Sequence, residues 1–317
     1  MLTVLLATRN RGPILEQVLA SFCQLRAPES GWKLVVVDNG STDSTSEVVH
    51  SYLQRLPLEY LFESTVGKNT ALNTGLAAVE GDLVVFTDDD VFPRPDWLVE
   101  LRIAADAHPH CSIFGGPITP RWEVPPPRWV QWVEQSPAFA ATDPSLEAGF
   151  VSPRLVYGPN MAIRANLFTV DTRFNSSMGP CGENYAQGGE MELIIRLSRR
   201  GHKAWYAPNA VVEHLIRQEQ LKKSWVMQRA VRFGRGEFRL GFVEASNEAE
   251  QSSRVRAELI QELVKEGLRI VKATLLLRRE RAFRCLWRFH FLQGQIMEAR
   301  SLAREHHFAT RLASTDN

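Results

Sequence analysis

Three consecutive carboxylates, Asp88, Asp89 and Asp90, directly follow the apolar run 83–87. In an open α/β sheet, ligands bind at the carboxyl ends of the strands, so these acids stand where a ligand is expected. Like charges this close repel one another unless a cation lies among them. A hard divalent ion, Mg²⁺ or Mn²⁺, that bridges to substrate phosphates would meet that need. The cluster also suits a solvated turn that caps the helix predicted from Pro95, so it does not decide the function alone.

Polar residues also end the other predicted strands. Thr8 and Arg9 follow the first strand, and Asp38 ends the second. Lys68 lies at the start of a predicted helix, where a basic side chain and the helix terminus both suit a phosphate group. Because the carboxyl ends of parallel strands meet at one edge of a sheet, these residues predict a nucleotide site that contains a metal ion.

The elements that must position these residues alternate along the first hundred residues. Short apolar runs bounded by turn residues predict strands, and the segments between them have helical spacing. The predicted strands are 2–7, 33–37, 58–62 and 83–87, and the predicted helices are 12–25, 43–55, 67–79 and 95–107. This alternation predicts a parallel sheet with right-handed crossovers, and the fully apolar strands agree because such strands are covered on both faces.

The pattern changes after this region. Residues 118–153 are rich in proline and tryptophan and predict irregular structure, in which Trp122, Trp129 and Trp132 suit either stacking on a sugar or packing on the core. A helix over 190–200 and strands over 204–206 and 210–213 follow, and the chain is helical beyond 221. The predicted organisation is an α/β domain over 1–216, with halves 1–117 and 118–216, and a helical basic region over 217–317.

The composition is that of a globular protein, with 44% hydrophobic and 23% charged residues among 317. This length fits one large domain or two of ordinary size. No apolar run approaches the ~20 residues that span a bilayer. No basic segment precedes the apolar N-terminus, so a cleaved signal peptide is not expected. Four cysteines far apart in the sequence argue against a zinc knuckle or a disulfide framework and favour the cytoplasm.

The two parts of the chain differ in charge. Residues 1–216 carry 17 basic and 24 acidic side chains, whereas residues 217–317 carry 20 basic and 12 acidic ones. This asymmetry favours a polyanionic partner for the basic part. Segment 278–292 interleaves arginine with large apolar residues, which suits either a helix on an anionic membrane surface or packing inside the protein. The sequence has no zinc, RNP-type or helix-turn-helix signature, so no nucleic-acid partner is expected.

Several motifs in order give the chain a resemblance to a known family. They are VDNGSTD at 37–43, ALNTG at 71–75, FTDDDV at 86–91 and PDW at 95–97. Over roughly residues 1–240 the chain resembles the family 2 glycosyltransferases, inverting enzymes that use nucleotide sugars. The resemblance implies the GT-A fold, an α/β class with a mixed, mostly parallel sheet flanked by helices, here followed by a helical basic C-terminal extension.

The resemblance also implies roles in binding the donor. Asp38 would accept a hydrogen bond from the nucleotide base, uracil in the simplest case, and Thr8 and Arg9 would border that base. Lys68 would approach the phosphates or the ribose.

The three acids divide between ribose and metal in the same resemblance. Asp88 would meet the ribose, Asp90 would bind the metal, and Asp89 fills the variable place between them. His214 follows a short predicted strand, and in related enzymes a histidine at this place approaches the metal or the diphosphate. A neutral imidazole suits Mn²⁺.

An inverting transferase also needs a general base. The segment from Gly189 resembles the family's acidic segment at a helix start, with a departure: Gly189 stands where the first acid usually lies, and Glu190 stands where an aspartate does. Glu190 is therefore the predicted base, and Glu192 is its rival. Two residues along a helix turn a side chain by about 200°, and Glu192 is placed to pair with Arg196 at i,i+4.

Together these observations predict a metal-dependent inverting glycosyltransferase that moves a sugar from a nucleotide diphosphate sugar, a UDP-sugar in the simplest case, to a hydroxyl of a glycan or lipid-linked acceptor. The cofactor would be Mn²⁺ or Mg²⁺. The protein would be cytoplasmic and peripheral at the inner face of a membrane, which its basic C-terminal helices would contact. Two alternatives stay open: a catalytically degenerate protein that binds nucleotide or membrane, favoured by the missing acid at Gly189, and a nucleotidyltransferase.

Overall fold

The computed structural model describes residues 1–133, 137–181, 185–244 and 249–315, and these fall into two compact units. The first unit comprises residues 1–125, 135–181 and 189–217, and the second comprises residues 126–134, 182–188 and 218–317.

The first unit contains an eight-stranded mixed sheet and a three-stranded sheet. In the larger sheet the strand order is β3-β2-β1-β4-β9-β6-β10-β8, and in the smaller one it is β5-β11-β7. The strands are β1 (Leu2–Thr8), β2 (Trp32–Asp38), β3 (Leu58–Phe62), β4 (Leu83–Asp88), β5 (Val91–Pro93), β6 (Cys111–Gly115), β7 (Ile118–Trp122), β8 (Gly149–Val151), β9 (Met161–Arg164), β10 (Lys203–Tyr206) and β11 (Val212–Ile216).

Helices cover both faces of the larger sheet. They are α1 (Gly12–Phe22), α2 (Thr45–Ser51), α3 (Lys68–Gly75), α4 (Trp97–Ala107) and α5 (Gly189–Arg199). Because successive side chains of a strand point to opposite faces, β1 contributes to two separate cores. Leu6 packs in the core that contains residues of α1 and α4, whereas Leu5 packs in the core that contains residues of α3 and α5.

The register of the central strands brings their carboxyl ends to one level. β1 pairs in parallel with β2 and with β4. Thr8 lies opposite Asp38 in the first pairing, and Ala7 lies opposite Asp88 in the second. The polar residues that end these three strands are therefore neighbours at one edge of the sheet.

The prediction of the βα alternation up to residue 107 and that of a mixed sheet are confirmed, but the sequence did not identify some of the strands that come later. β9 is antiparallel to both β4 and β6 and lies between them. Residues 118–153 were predicted to be irregular, which is wrong for β7 and β8. β7 contains Pro120 and Arg121, and β8 has three residues, so neither shows the apolar alternation by which a strand is recognised.

The second unit is helical. Its helices are α6 (Lys223–Glu244), α7 (Ala249–Leu275) and α8 (Arg279–Thr315). Gly234 and Gly294 let α6 and α8 cross closely, since a Cβ at either position would overlap a backbone carbonyl of the other helix. Glu298 is fully buried and pairs with Arg235 at 2.7 Å and with Arg239 at 2.5 Å.

Aromatic residues of the proline-rich segment also belong to this unit. Trp129 and Trp132 lie with ring centroids 5.1 Å and 5.8 Å from that of Phe283, which is buried in α8. These two tryptophans therefore pack on a helix. None of the helices in the described ranges combines the length and the apolar content needed to cross a bilayer.

Candidate active site

Asp38 ends β2 as a buried carboxylate, 1% exposed. The backbone N–H of Ser41 donates to its Oδ1 at 2.8 Å, and the Tyr60 hydroxyl donates to its Oδ2 at 3.1 Å. Each carboxylate oxygen has a further lone pair, so Asp38 can still accept from a bound group. Tyr60 and Ser41 were not identified from the sequence.

The loops after β1 and β2 are tied together beside Asp38. Asn10 has a left-handed backbone, with φ of 52°, and accepts from the Thr42 N–H at 2.8 Å while its own N–H donates to Ser41 Oγ at 2.9 Å. Arg9, the preceding residue, is exposed at this rim. The arrangement leaves Arg9 accessible to a ligand that reaches Asp38.

Lys68 joins two acids at the start of α3. Its Nζ donates to Asp88 Oδ1 and to Glu190 Oε1, both at 2.6 Å. Burial by itself would lower the pKa of Lys68, but the charges of Asp88 and Glu190 raise it well above its ordinary value. Residues 68, 88 and 190 come from three elements distant in sequence, so the fold brings together the phosphate ligand, the ribose ligand and the base that the sequence predicted.

Asn39 fixes the loop that begins α3. Its Oδ1 accepts from the N–H of Gly67 at 2.7 Å, and its Nδ2 donates to the carbonyls of Glu63 and Thr65 at 3.1 Å and 2.7 Å. Gly67 has φ of 150°, a conformation that L side chains rarely adopt. Asn39 therefore links the end of β2 to the position of Lys68.

Glu190 and Glu192 leave α5 in different directions. Glu190 lies against Gly158, where an added Cβ would come within 2.9 Å of its Cγ, and reaches Lys68. Glu192 is 5% exposed and forms a two-pronged ion pair with Arg196 at 2.6 Å and 3.0 Å. The i,i+4 pairing expected from the sequence is present, and the contacts of Glu192 do not bring it to Lys68.

Asp89 turns toward β1. Thr8, 2% exposed, donates from Oγ1 to Asp89 Oδ2 at 2.8 Å. Burial, followed by the neighbouring charge of Asp90, raises the pKa of Asp89. Thr8 thus contacts an acid of the cluster.

Asp90 faces His214 of β11. Their closest N–O distance, from His214 Nε2 to Asp90 Oδ1, is 3.5 Å, and Arg217 lies 3.8 Å from Asp90 Oδ2. Burial alone would raise the pKa of Asp90, but His214 above all, with Arg11 and Arg217, holds it below its ordinary value. Burial would lower the pKa of His214, and the Asp90 carboxylate raises it instead.

The donor set at Asp90 fits a divalent cation. His214 Nδ1 lies 3.0 Å from the carbonyl of Phe139, which can only accept, so Nδ1 carries the hydrogen. In the neutral ring the lone pair is then on Nε2, which faces Asp90. A hydrogen bond that orients the ring through its other nitrogen is typical of metal-binding histidines. Within the described ranges no three His, Cys, Asp or Glu side chains form a metal cage. One or two protein ligands suffice for Mg²⁺ or Mn²⁺ when substrate phosphates complete the shell.

Two cations near the acids were missed in the sequence. Arg11 lowers the pKa of both Asp89 and Asp90, and Arg217 lowers that of Asp90. Both follow residues that were identified: Arg11 is two residues after Arg9, and Arg217 is three after His214. Their spacing alone carries no signal, because neither position belongs to a motif that the sequence presents.

Gly189, the departure from the family pattern, packs against Asn69. A Cβ at position 189 would overlap the Asn69 side-chain amide. Asn69 is 1% exposed and donates from Nδ2 to the carbonyl of Asn175 at 2.8 Å, while its Oδ1 has no hydrogen-bond partner among the described residues. The glycine is therefore explained by packing, and the missing acid at this position is not by itself a sign of a lost active site.

This packing predicts that Gly189→Ala destabilises the protein although alanine favours helices. Overpacking of this kind lowers the free energy of unfolding by about 1–3 kcal/mol. Urea unfolding would measure it, with Gly149→Ala as the control because an added Cβ there meets nothing within 4 Å. Equal stability of the two variants would contradict the packing explanation.

Comparisons with known proteins bear on this site. Residues 3–165 match the family described as Glycosyl transferase family 2. Over 112 residues the chain is 37% identical to validoxylamine A glucosyltransferase of Streptomyces hygroscopicus subsp. limoneus, which covers 34% of this chain and 24% of that relative. Glycosyltransferase AglE of Haloferax volcanii is 25% identical over 246 residues, 76% of this chain and 74% of the relative. The chain thus matches about a quarter of the first relative's length.

Solved structures share the fold. The mannosyltransferase PcManGT from Pyrobaculum calidifontis, in complex with GDP-Man and Mn²⁺, superposes with a TM-score of 0.62 at 20% identity, covering 94% of this chain and 86% of that one. TarS 1–349 of Staphylococcus aureus, in complex with UDP-GlcNAc, gives a TM-score of 0.55 at 16% identity and covers 96% and 92%. The predicted fold class, a GT-A-like mixed sheet flanked by helices with C-terminal helices, is confirmed.

Proposed function

Since the chain belongs to glycosyl transferase family 2, we propose that it transfers a sugar, with inversion, from a nucleotide diphosphate sugar to a hydroxyl of a glycan or lipid-linked acceptor. The observation that carries the proposal is the contact of Lys68 with both Asp88 and Glu190. This contact joins Glu190, the proposed general base, to Asp88 at the end of β4. Asp90, two residues after Asp88, lies 3.5 Å from His214. Donor-binding and proton-accepting groups therefore share one edge of the sheet.

In the proposed reaction, Glu190 accepts the proton of the acceptor hydroxyl. The acceptor oxygen forms its bond to the anomeric carbon while the bond from that carbon to the diphosphate oxygen breaks, and the nucleoside diphosphate leaves on the opposite side. Glu190, Asp88 and Lys68 have side chains 18%, 23% and 19% exposed, so substrates can reach them. The hydrogen bond from Lys68 holds the Glu190 carboxylate in place for this transfer.

We assign the metal to Asp90 and His214. Mn²⁺ or Mg²⁺ bound there would supply neutralisation of the charge that develops on the leaving diphosphate. Arg11 and Arg217, whose charges act on Asp90, add positive charge beside the same phosphates. Asp89, which accepts from Thr8, shapes the turn between the two acids.

We further propose that Asp38 binds the base of a UDP-sugar, with Thr8 and Arg9 beside it. A carboxylate can accept from the N3–H of uracil, and the loop joined by Asn10 and Thr42 holds Asp38 at the rim of the sheet. Residues 1–117 would then bind the donor and residues 118–216 the acceptor. We place the protein in the cytoplasm, peripheral at the inner face of a membrane, with residues 217–317 as the contacting region.

Nucleotide binding tests the donor site. We expect UDP to bind in the presence of Mn²⁺ at least about tenfold more tightly than CDP, since N3 of cytosine carries no hydrogen that could be donated to the Asp38 carboxylate, and a hydrogen bond to a charged group contributes about 1.5–3 kcal/mol. Removing the metal with EDTA should abolish most of the UDP affinity. Isothermal titration calorimetry with UDP, CDP and GDP, with and without Mn²⁺, would measure both effects. Metal-independent binding of UDP would count against the proposed donor site, and a preference for CDP or GDP over UDP would contradict the assignment of uracil.

A further inference from the structure

The turn between α7 and α8 exposes a group of large aliphatic side chains. Leu275 and Leu277 are 78% and 83% exposed, and Leu276 is 52% exposed. They continue an exposed stripe on α7 whose members are spaced by three or four residues and so share one face of the helix. The stripe comprises Ile260, Val264, Leu268 and Val271. The opposite face of α7 is buried, as Glu266 and Ala273 show.

Leu277 has a backbone conformation that ordinarily selects glycine. Its φ is 52°, and the N–H groups of Arg278 and Leu277 donate to the carbonyls of Ala273 and Thr274 at 2.8 Å and 3.0 Å. This is the Schellman pattern, in which the left-handed residue after a helix is usually glycine because other side chains are strained there. A leucine at this position that buries almost none of its surface gains nothing from the fold to offset that strain.

Basic residues adjoin these leucines in the sequence. Between residues 268 and 288 the sequence has seven basic residues and one acidic residue. Arg278, Arg279, Arg281 and Arg284 line a shallow groove at the start of α8, together with Glu280, which pairs with Arg284 at 2.9 Å. Exposed aliphatic side chains next to a group of arginines match a bilayer that contains anionic lipids, with acyl chains for the leucines and headgroups for the arginines.

The charge also decides against a second copy of the chain as the partner. A symmetric contact between two such turns would place one arginine cluster against the other, and like charges at an interface disfavour association. Phe283, one of the aromatic residues that the sequence suggested for a membrane contact, does not fill this role, because it is buried against Trp129 and Trp132.

We propose that the tip of the α7–α8 hairpin, residues 268–284, is a docking surface for membranes that contain anionic lipids. Leu275, Leu276 and Leu277 enter the headgroup region, and Arg278, Arg279 and Arg281 contact the lipid phosphates. The proposal names the surface by which the transferase would be peripheral at a membrane, and it requires neither a nucleotide nor sugar transfer.

Liposome flotation tests the hairpin tip. The full chain, without nucleotide or metal, is expected to float with vesicles of phosphatidylcholine and phosphatidylglycerol and to remain unbound with phosphatidylcholine alone. Arg278→Ser combined with Arg279→Ser should weaken binding about 25-fold, since each basic residue near an anionic surface changes the affinity by about fivefold. High salt should weaken the binding of the unaltered chain through screening. The matched control is Arg199→Ser with Arg200→Ser, two adjacent exposed arginines of the first unit, which removes the same charge elsewhere on the protein.

Leu277→Gly separates membrane contact from folding. Glycine removes the left-handed strain, so the unfolding temperature should rise by about 2 °C while flotation weakens. Unchanged flotation of this variant and of the arginine variant would overturn the proposal, as would failure of the unaltered chain to float. Light scattering would identify self-association: a dimer that dissociates on Leu275→Ser with Leu276→Ser, with flotation unchanged, would also overturn it. Loss of transferase activity with normal flotation would bear on the proposed function and leave this surface intact.

Discussion

Replacing Glu190 by glutamine is expected to lower the rate of sugar transfer by about 10²- to 10⁴-fold, the usual contribution of a general base. Glutamine keeps the size of the side chain and an oxygen for the Lys68 ammonium, which lies 2.6 Å from Glu190 Oε1. It cannot take the acceptor proton. Because Asp38, Asp88 and Asp90 are unaltered, calorimetry should show UDP binding within a factor of a few of the parent protein, while the transfer rate falls.

Glu192→Gln is the matched control for this prediction. Glu192 lies two residues along α5, is buried and pairs with Arg196. Its replacement leaves the Arg196 guanidinium, whose side chain is 26% exposed, with a neutral hydrogen-bond acceptor, and the stability should fall by about 1–3 kcal/mol. The control should therefore lower the unfolding temperature, while the transfer rate of the folded protein should stay within a factor of a few of the parent's. A variant pair in which Glu192→Gln loses transfer and Glu190→Gln keeps it would show that the base is misassigned.

The prediction of the alternating strands and helices up to residue 107 succeeded because its signals are local. Apolar runs such as 34–37 are strand-sized and fully buried, and the polar residue at the end of each run marks the sheet edge. Because β1, β2 and β4 pair in parallel and end at the same level, Thr8, Asp38 and Asp88 become neighbours. Their proximity therefore follows from the strand ends alone. The family resemblance, which depends on the order of the motifs, supplied the proposed roles of these residues in binding the donor; composition alone does not give them.

The contacts that complete the site depend on residues far apart in sequence. The Lys68–Glu190 contact joins residues 122 positions apart, and the fit of Gly189 to Asn69 depends on a close approach that no spacing predicts. Strand β9 crosses between β4 and β6 in the antiparallel sense and has four residues, too few for a pattern. Only the tertiary structure explains Gly189, the departure that had favoured a degenerate enzyme, because the glycine packs against Asn69. Glu190 contacts Lys68 although position 189 has no acid.

The hairpin tip illustrates the same limit in the second unit. The sequence placed the membrane-binding composition in segment 278–292, because arginine and aromatic residues alternate there. Which of those side chains are exposed depends on helix packing: Phe283 is buried, whereas the leucines that end α7 are exposed. A leucine in the left-handed conformation at position 277 has no sequence signal at all.

Replacing Asp90 by asparagine is expected to weaken Mn²⁺-dependent UDP binding and to lower the transfer rate by about 10³-fold, because a metal contributes several kcal/mol of charge stabilisation that depends on its anionic ligand. Asparagine preserves the shape of the side chain beside His214 Nε2, 3.5 Å away, but removes the charge that faces His214 and Arg217. Manganese electron paramagnetic resonance in the presence of UDP would report the loss of bound metal independently of activity.

Asp89→Asn and His214→Gln separate the roles around this position. Asp89 accepts from Thr8, so its amide variant should keep metal-dependent UDP binding within about threefold, as expected when a charged ligand is untouched. His214→Gln removes the imidazole lone pair that the Phe139 carbonyl orients, and it should weaken metal binding by about 10- to 100-fold. The order of effects, with Asp90 largest, His214 next and Asp89 smallest, follows from which side chains converge on one point. If Asp89→Asn abolishes Mn²⁺ binding and Asp90→Asn retains it, the metal lies on the Thr8 side of the turn, and the contact of Asp90 with His214 is an ordinary buried ion pair.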